Sequence, residues 1–386
     1  MSTDSTILEL FEQTRAQTLE IIRDLPVEDL CVQPALFVSP IKWHIGHVTW
    51  IYEKTLQQIT SAPSFSETYD LIFNSYYKGI GAHWAQAERG HLSRPTLAKV
   101  IDYKKFIDEE ILKALEKKII QEKDLRLAIE HEHQHQELMI MDLKYILSLG
   151  LGLVDELPQF KKFAIAPIIK SNDKKFIGGL YSFGYKGSSF CFDNELPYHQ
   201  ELLQDFSIQS ELVTNGDYIE FLHSSAYNNS SAWLSDGFDW KNKNKVSLPL
   251  YWIKENDEYF TNFFGVKKPL EFNAPISHLS FYEADAYARF MGARLPSEFE
   301  LELFLRESGQ SPLWVWSNTS YHPYPGFRPF EGFAKEYNGK FMSGQMILRG
   351  GCIATPQGHY RPSYRNFYRP SDRWQFSGIK LAKDKK

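Results

Sequence analysis

Hydrophobic positions in the first 150 residues recur at helical spacing. Over residues 5–24, Ile7, Leu8, Phe11, Thr14, Leu19 and Ile22 gather near one face of a helix. A second helix is predicted over 41–58, after the breaker Ser39-Pro40, with Trp43, His47, Trp50, Ile51 and Leu56. Pro95 opens a third, carrying Val100, Ile101, Phe106, Ile107, Ile111 and Leu112. A fourth runs from 122 to 149 and stops at Gly150 and Gly152, as a helix C-terminus does. Four such segments predict a four-helix bundle over 1–150. The pattern then breaks at Pro158, Pro167 and the polar run Lys170–Lys175, so 151–178 is expected to be a linker. From 179 to 386 the texture is short β-like runs, many Gly, Pro and aromatic residues and a short helix over 282–291, an α+β domain with long loops.

Composition supports two folded domains in 386 residues: 43% hydrophobic, 24% charged and 15% aromatic. Lys+Arg number 43 against Asp+Glu 48, and the signs are interspersed, so nothing favours a nucleic-acid partner. The three cysteines, Cys31, Cys191 and Cys352, form no disulfide framework or metal knuckle. The first seventeen residues lack the basic start and apolar core of a signal peptide, and no apolar run reaches the ~20 residues that span a bilayer. A cytoplasmic protein without a membrane partner is expected.

The chemistry concentrates in Glu130-His131-Glu132-His133-Gln134-His135. On a helix His131 and His135 stand one turn apart on one face and can share a metal, whereas His133 points to roughly the opposite side. A solvated His/Glu-rich surface is the plain alternative, but imidazoles on a core-facing helix are costly to bury without a partner. Trp43-His44-Ile45-Gly46-His47 is the best source of a third ligand. Three imidazoles without a carboxylate suit Zn, Fe or Cu. The same stretch also reads H-E-x-x-H, the helix of zinc hydrolases with Glu132 as base.

Ser39-Pro40-Ile-Lys-Trp43-His-Ile-Gly-His47 and His131-Glu-His-Gln-His135-Gln-Glu137-Leu resemble the DinB-like domain of the ergothioneine-biosynthesis sulfoxide synthases, the hercynine oxygenases. The second half resembles their formylglycine-generating-enzyme-like, C-type-lectin-like domain. It does so at Val213-Thr214-Asn215-Gly-Asp-Tyr218, Ser280-Phe-Tyr-Glu283, Gly292-Ala-Arg294-Leu-Pro296-Ser-Glu298, Leu348-Arg349-Gly350-Gly351, Arg361-Pro-Ser-Tyr-Arg365-Asn366-Phe-Tyr368 and Trp374-Gln375-Phe-Ser-Gly378. The resemblance covers nearly the whole chain.

It implies a non-haem Fe(II) held by His47, His131 and His135, with O2 as co-substrate. The reaction joins a cysteine-type thiol sulfur to the imidazole C2 of hercynine and oxidises that sulfur to a sulfoxide. Gln134 and Asn366 match substrate contacts, with Phe367 and Tyr368 following the asparagine. One subtype carries its catalytic tyrosine where this chain has Ala334, ahead of Glu336-Tyr337. The other has a Tyr-Tyr pair in the first domain, and Tyr76-Tyr77 matches it, so one of these is the expected proton donor. Phe367-Tyr368 stand where γ-glutamylcysteine users have Trp-Asp, which favours L-cysteine. Its carboxylate would want an arginine clamp, and Arg89 and Arg94 are the nearest candidates. Relatives acting on histidine (ovothiol-type), γ-glutamylcysteine or a selenosugar are the chemical alternatives. No methyltransferase region of the kind usual in ovothiol-type enzymes is expected after the lectin-like half, which favours hercynine. A zinc hydrolase and a lectin-like binding protein are the alternatives of other classes.

Overall fold

The computed structural model describes residues 6–385 and divides into two compact units. Unit one comprises 1–150 with two short segments of later chain, 331–337 and 355–359; unit two comprises the remainder from 151. The expected first helix begins at residue 5, outside the described residues.

Unit one is built on four long helices: α1 (Ile7–Ile21), α3 (Ile41–Thr60), α5 (Leu97–Glu116) and α6 (Glu122–Ser148). Short helices α2 (Val27–Cys31) and α4 (Glu67–Phe73) lie between them in sequence. Each long helix starts where its sequence supplies a stop. Thr6 caps α1 in a reciprocal box with Glu9, and Thr96 caps α5 by accepting from the Lys99 amide. Pro40 precedes α3, which is buried from Ile41 to Leu56. Removing Ile45, Trp50 and Ile51 from water contributes roughly 1.5–3 kcal/mol each.

The buried faces are shifted from the expected ones: Leu8 and Phe106 are exposed, and Ile7, Leu19, Ile22, Ile101 and Leu112 are half-buried. On α1 the inward positions are Phe11, Thr14, Arg15, Thr18 and Ile21, three of the five polar. The reason is a polar network in the bundle. Arg15 donates to Asp108, Glu132 and Thr49, and Thr18 donates to Glu132 at 2.6 Å. Satisfied this way, polar groups occupy core positions that a hydrophobicity pattern assigns outward.

Residues 151–178 do not form a plain linker. A 3₁₀ turn at Pro158–Phe163 buries Phe160 and Phe163, and Phe160 stacks 4.4 Å from Phe264. Apolar rings in a proline-bearing stretch anchor it to unit two. Strand β1 (Lys174–Phe176) also begins there, antiparallel to β4 (Phe206–Ile208), which pairs in turn with β12 (Ala382–Asp384). A ribbon of β2 (Gly179–Phe183) and β3 (His199–Leu203) and a meander of β5 (Trp252–Glu255), β6 (Glu258–Phe263) and β7 (Val266–Pro269) follow. The largest sheet has the order β10 (Asn366–Tyr368), β9 (Met346–Arg349), β8 (Trp314–Ser320), β11 (Ser377–Gly378). Helices α7 (Asn215–His223), α8 (Ser235–Lys243), α9 (Phe281–Phe290) and α10 (Glu298–Ser308) complete the unit. Capping boxes at Ser280/Glu283 and Ser297/Glu300 start the last two.

Beneath β9 and β10, Glu298 accepts from Arg365 at 2.9 and 3.0 Å and from Arg349 at 2.8 Å. Burial opposes the charge on Glu298, and the two guanidiniums outweigh it, holding its carboxyl low. This network fixes the backbone immediately before Asn366. No described helix is long and apolar enough to cross a membrane.

Candidate metal centre

His47 comes from α3 and His131 and His135 from α6, and one nitrogen of each lies within 4.8 Å of the others. His47 Nε2 and His131 Nε2 are 3.3 Å apart. Ligand atoms at 2.0–2.2 Å from a common ion are about 3–3.5 Å from one another, so this spacing fits a coordination edge.

The neighbours fix which nitrogens face inward. His47 Nδ1 donates to the Phe73 carbonyl at 2.6 Å, which leaves the Nε2 lone pair for an ion. For His135 the argument passes through a second histidine. Asp142 Oδ2 accepts from the Ser39 amide at 2.9 Å and from His44 Nε2 at 3.0 Å. His44 Nδ1 is then an acceptor, so the proton in its 2.8 Å bond with His135 Nδ1 belongs to His135. His135 Nε2 is left unprotonated. Burial above all, with neighbouring imidazoles second, pulls the His47 and His135 pKa well below the ordinary value; His131, with the same leading cause, falls to about 3. Three neutral imidazoles with inward lone pairs and no carboxylate fit a divalent transition metal.

Trp43 stacks on His47 at 4.7 Å and donates its indole N–H to the Ile72 carbonyl at 2.7 Å. The Arg89 guanidinium lies 3.3 Å from the Trp43 ring centroid and donates to Ser39 Oγ at 2.9 Å. Burial drops its pKa to about 9, so a cation remains at neutral pH beside the histidines' scaffold. Arg94, in contrast, is exposed and donates to the Ser93 carbonyl.

Tyr76 and Tyr77 stack at 4.8 Å in a loop tied by Asn74, which accepts from the Tyr77 amide and donates to its carbonyl. Tyr77 is fully buried, 5.9 Å from Trp50, which stacks on His47 in turn. Burial, then Tyr76 and Tyr337, push the Tyr77 pKa well up, so the phenol keeps its proton. Tyr76 is half-buried.

Tyr337 was not among the expected site residues. Its ring meets His131 edge-on at 5.7 Å and its hydroxyl donates to Gln134 Oε1 at 2.5 Å. The Glu336-Tyr337 pair marks the position in sequence, but only tertiary structure returns that segment to α6. His44 and Asp142 were also missed as a pair, although Asp142 lies seven residues, two turns, beyond His135. Glu132 is fully buried and bound by Arg15 and Thr18, so it is held in the bundle core and not poised as a base beside the imidazoles. That removes the structural basis for a zinc hydrolase. Asn366, Phe367 and Tyr368 belong to unit two. Asn366 Oδ1 accepts from the Phe367 amide at 2.8 Å, Phe367 stacks 4.1 Å from Tyr321, and Tyr368 packs on Trp374.

Two domain families match the chain: the DinB superfamily over residues 10–139 and the sulfatase-modifying factor enzyme 1-like domain over 175–324. A hercynine oxygenase of Mycobacterium tuberculosis is 28% identical over 240 residues, covering 50% of this chain and 56% of its own. Another from Mycolicibacterium smegmatis is 27% identical with the same coverages. Ergothioneine biosynthesis protein 1 of Schizosaccharomyces pombe is 23% identical, covering 50% of this chain and 28% of its own. The chain thus spans about half the length of the hercynine oxygenases it matches. It carries both domain types in order and is similar to the hercynine oxygenases over that half.

Proposed function

Starting from that kinship, we propose that the chain is an Fe(II)- and O2-dependent sulfoxide synthase that joins the C2 of hercynine to the sulfur of L-cysteine. The observation that carries the reading is the His47, His131 and His135 trio, with two of its tautomers set by Phe73 and by the Asp142–His44 relay. The balance needs no outside reductant. A C–H and an S–H bond break, a C–S and an S–O bond form, and O2 takes the four electrons, leaving one oxygen in the sulfoxide and the other as water.

When bound, the iron supplies adjacent positions for thiolate and O2 and the redox capacity to activate O2. The chain's own groups do the rest. The three imidazoles stay neutral and leave coordination positions open to substrate. Tyr337 holds the Gln134 carbonyl end, so the amide NH2 is the end offered to the hercynine imidazole. Arg89, buried and charged, supplies the partner for the cysteine carboxylate. Tyr76 is the proton donor, because it is the accessible member of its pair; Tyr77, sealed behind it, is a positioning residue. Asn366, Phe367 and Tyr368 are assigned to substrate on the motif alone. The aromatic pair following Asn366 offers no carboxylate for a γ-glutamyl amine, which favours L-cysteine. A reducing cytoplasm suits an enzyme with a free thiol as substrate.

The test is aerobic incubation of the iron-loaded protein with hercynine or histidine, each paired with cysteine, γ-glutamylcysteine or a selenol, followed by mass spectrometry. The expected product is hercynylcysteine sulfoxide. Absence of any imidazole–sulfur or imidazole–selenium adduct from every pairing would overturn the reading; preference for another pairing would reassign the substrates.

A further inference from the structure

We propose that Glu130, His133 and His359 form a second metal site, taking a divalent first-row cation such as zinc, which clamps the 355–359 segment onto α6. The donor atoms lie within 4.8 Å of one another, and all three side chains are buried, at 1%, 6% and 1% exposure. Two imidazoles and one carboxylate are a donor set that such ions favour.

The hydrogen bonds around His133 point to a place for a cation. Thr14 Oγ1 lies 2.7 Å from the Leu10 carbonyl, a contact between two oxygens that needs the one proton Thr14 has. Towards His133 Nε2, at 3.1 Å, Thr14 can therefore only accept. Nε2 carries the hydrogen, and a neutral His133 turns the lone pair of Nδ1 inward. That Nδ1 has no hydrogen-bond partner among the described residues, and it faces Glu130 Oε2 at 3.7 Å. A nitrogen lone pair and a carboxylate oxygen repel at that distance in a buried place unless a positive charge lies between them.

The same Oε2 is 2.5 Å from His359 Nδ1. The two separations, one long and one short, bracket the roughly 3–3.5 Å expected between ligands of one ion, so a shift of some tenths of an ångström in Glu130 equalises them. Arg126 holds the other oxygen, Oε1, at 3.0 Å and leaves Oε2 for the site. Further along α6, Thr355 Oγ1 donates to Glu137 Oε2 at 2.6 Å, fixing the other end of the clamped segment. Glu130, His133 and Glu137 share one face of α6, whereas His131 and His135 share another. The site is thus separate from the first and does not depend on the reaction assigned to it.

The test uses the full chain with His47→Ala and His135→Ala together, which removes the first centre. Metal-stripped protein is loaded anaerobically with zinc or cobalt(II), desalted and measured for metal per chain. One retained equivalent, a cobalt absorption spectrum of mixed nitrogen and oxygen ligation, and a melting temperature raised by zinc are expected. Adding His359→Gln or Glu130→Gln should abolish all three. No retained metal and no zinc-dependent shift in the double variant would overturn the proposal, and would assign the charge beside His133 Nδ1 to a proton. So would a retained equivalent that both further substitutions leave in place. If those variants fail to fold, the double variant's metal content and melting shift still decide.

Discussion

At the scale of single residues, the candidate centre depends on protons as much as on ligand identity. His135 offers its Nε2 lone pair because His44 takes the proton on its other nitrogen, and His44 can do so because Asp142 holds it from behind. Groups that hold a ligand in this way are commonly worth about 10–100-fold in metal affinity. His44→Ala is therefore expected to weaken iron binding by about that factor while leaving the fold intact, as read by competition against a chelator. Tyr76→Phe should leave iron binding unchanged but divert turnover from sulfoxide formation towards plain thiol oxidation. Unchanged product ratios by mass spectrometry would remove Tyr76 from the proton-donor role.

At the scale of elements, two helices set the geometry. Gly46 on α3 lets Phe73 of α4 lie where a side chain would stand; a Cβ there would meet the Phe73 ring at 2.1 Å. Because the Phe73 carbonyl also orients His47, Gly46→Ala should lower stability by about 1–3 kcal/mol and weaken metal binding as well. Urea denaturation and metal titration of one preparation would show both. Lys144 on α6 is buried, and loss of hydration brings its pKa down to about 7. The unfolded chain, near the ordinary 10.5, binds more protons between those values, so this residue makes stability rise as pH climbs from about 7 towards 10.5. Lys144→Met should flatten that rise in urea midpoints taken at several pH values. The long helices were readable because apolar spacing and capping residues report local structure. Arg15 and Thr18 were not readable as core, since their burial depends on Glu132, more than 100 residues away, whereas Thr14 falls on the face the spacing marks. The His131/His135 pair could be seen from helical periodicity alone. Tyr337 and His359 could not, because nothing local in their sequence says which helix they return to.

At the scale of the whole molecule, unit one is assembled from three separate stretches of sequence. Residues 331–337 bring Tyr337 to Gln134, and 355–359 bring His359 to Glu130. Tyr337→Phe should therefore release Gln134 and raise the KM for the imidazole substrate by about tenfold, with a smaller effect on the thiol's KM. Steady-state kinetics with each substrate varied in turn would test that asymmetry. The interruption also gives the protein a schedule. His359 leaves the ribosome some 200 residues after Gly150, about 10–40 s later at ordinary elongation rates. Through most of that interval a nascent bundle can already carry the three histidines of the candidate centre without Tyr337 to hold Gln134, and through all of it without His359 beside Glu130. The order of synthesis thus sets the contacts around α6 in sequence, those of the first 150 residues before those of the two returning segments.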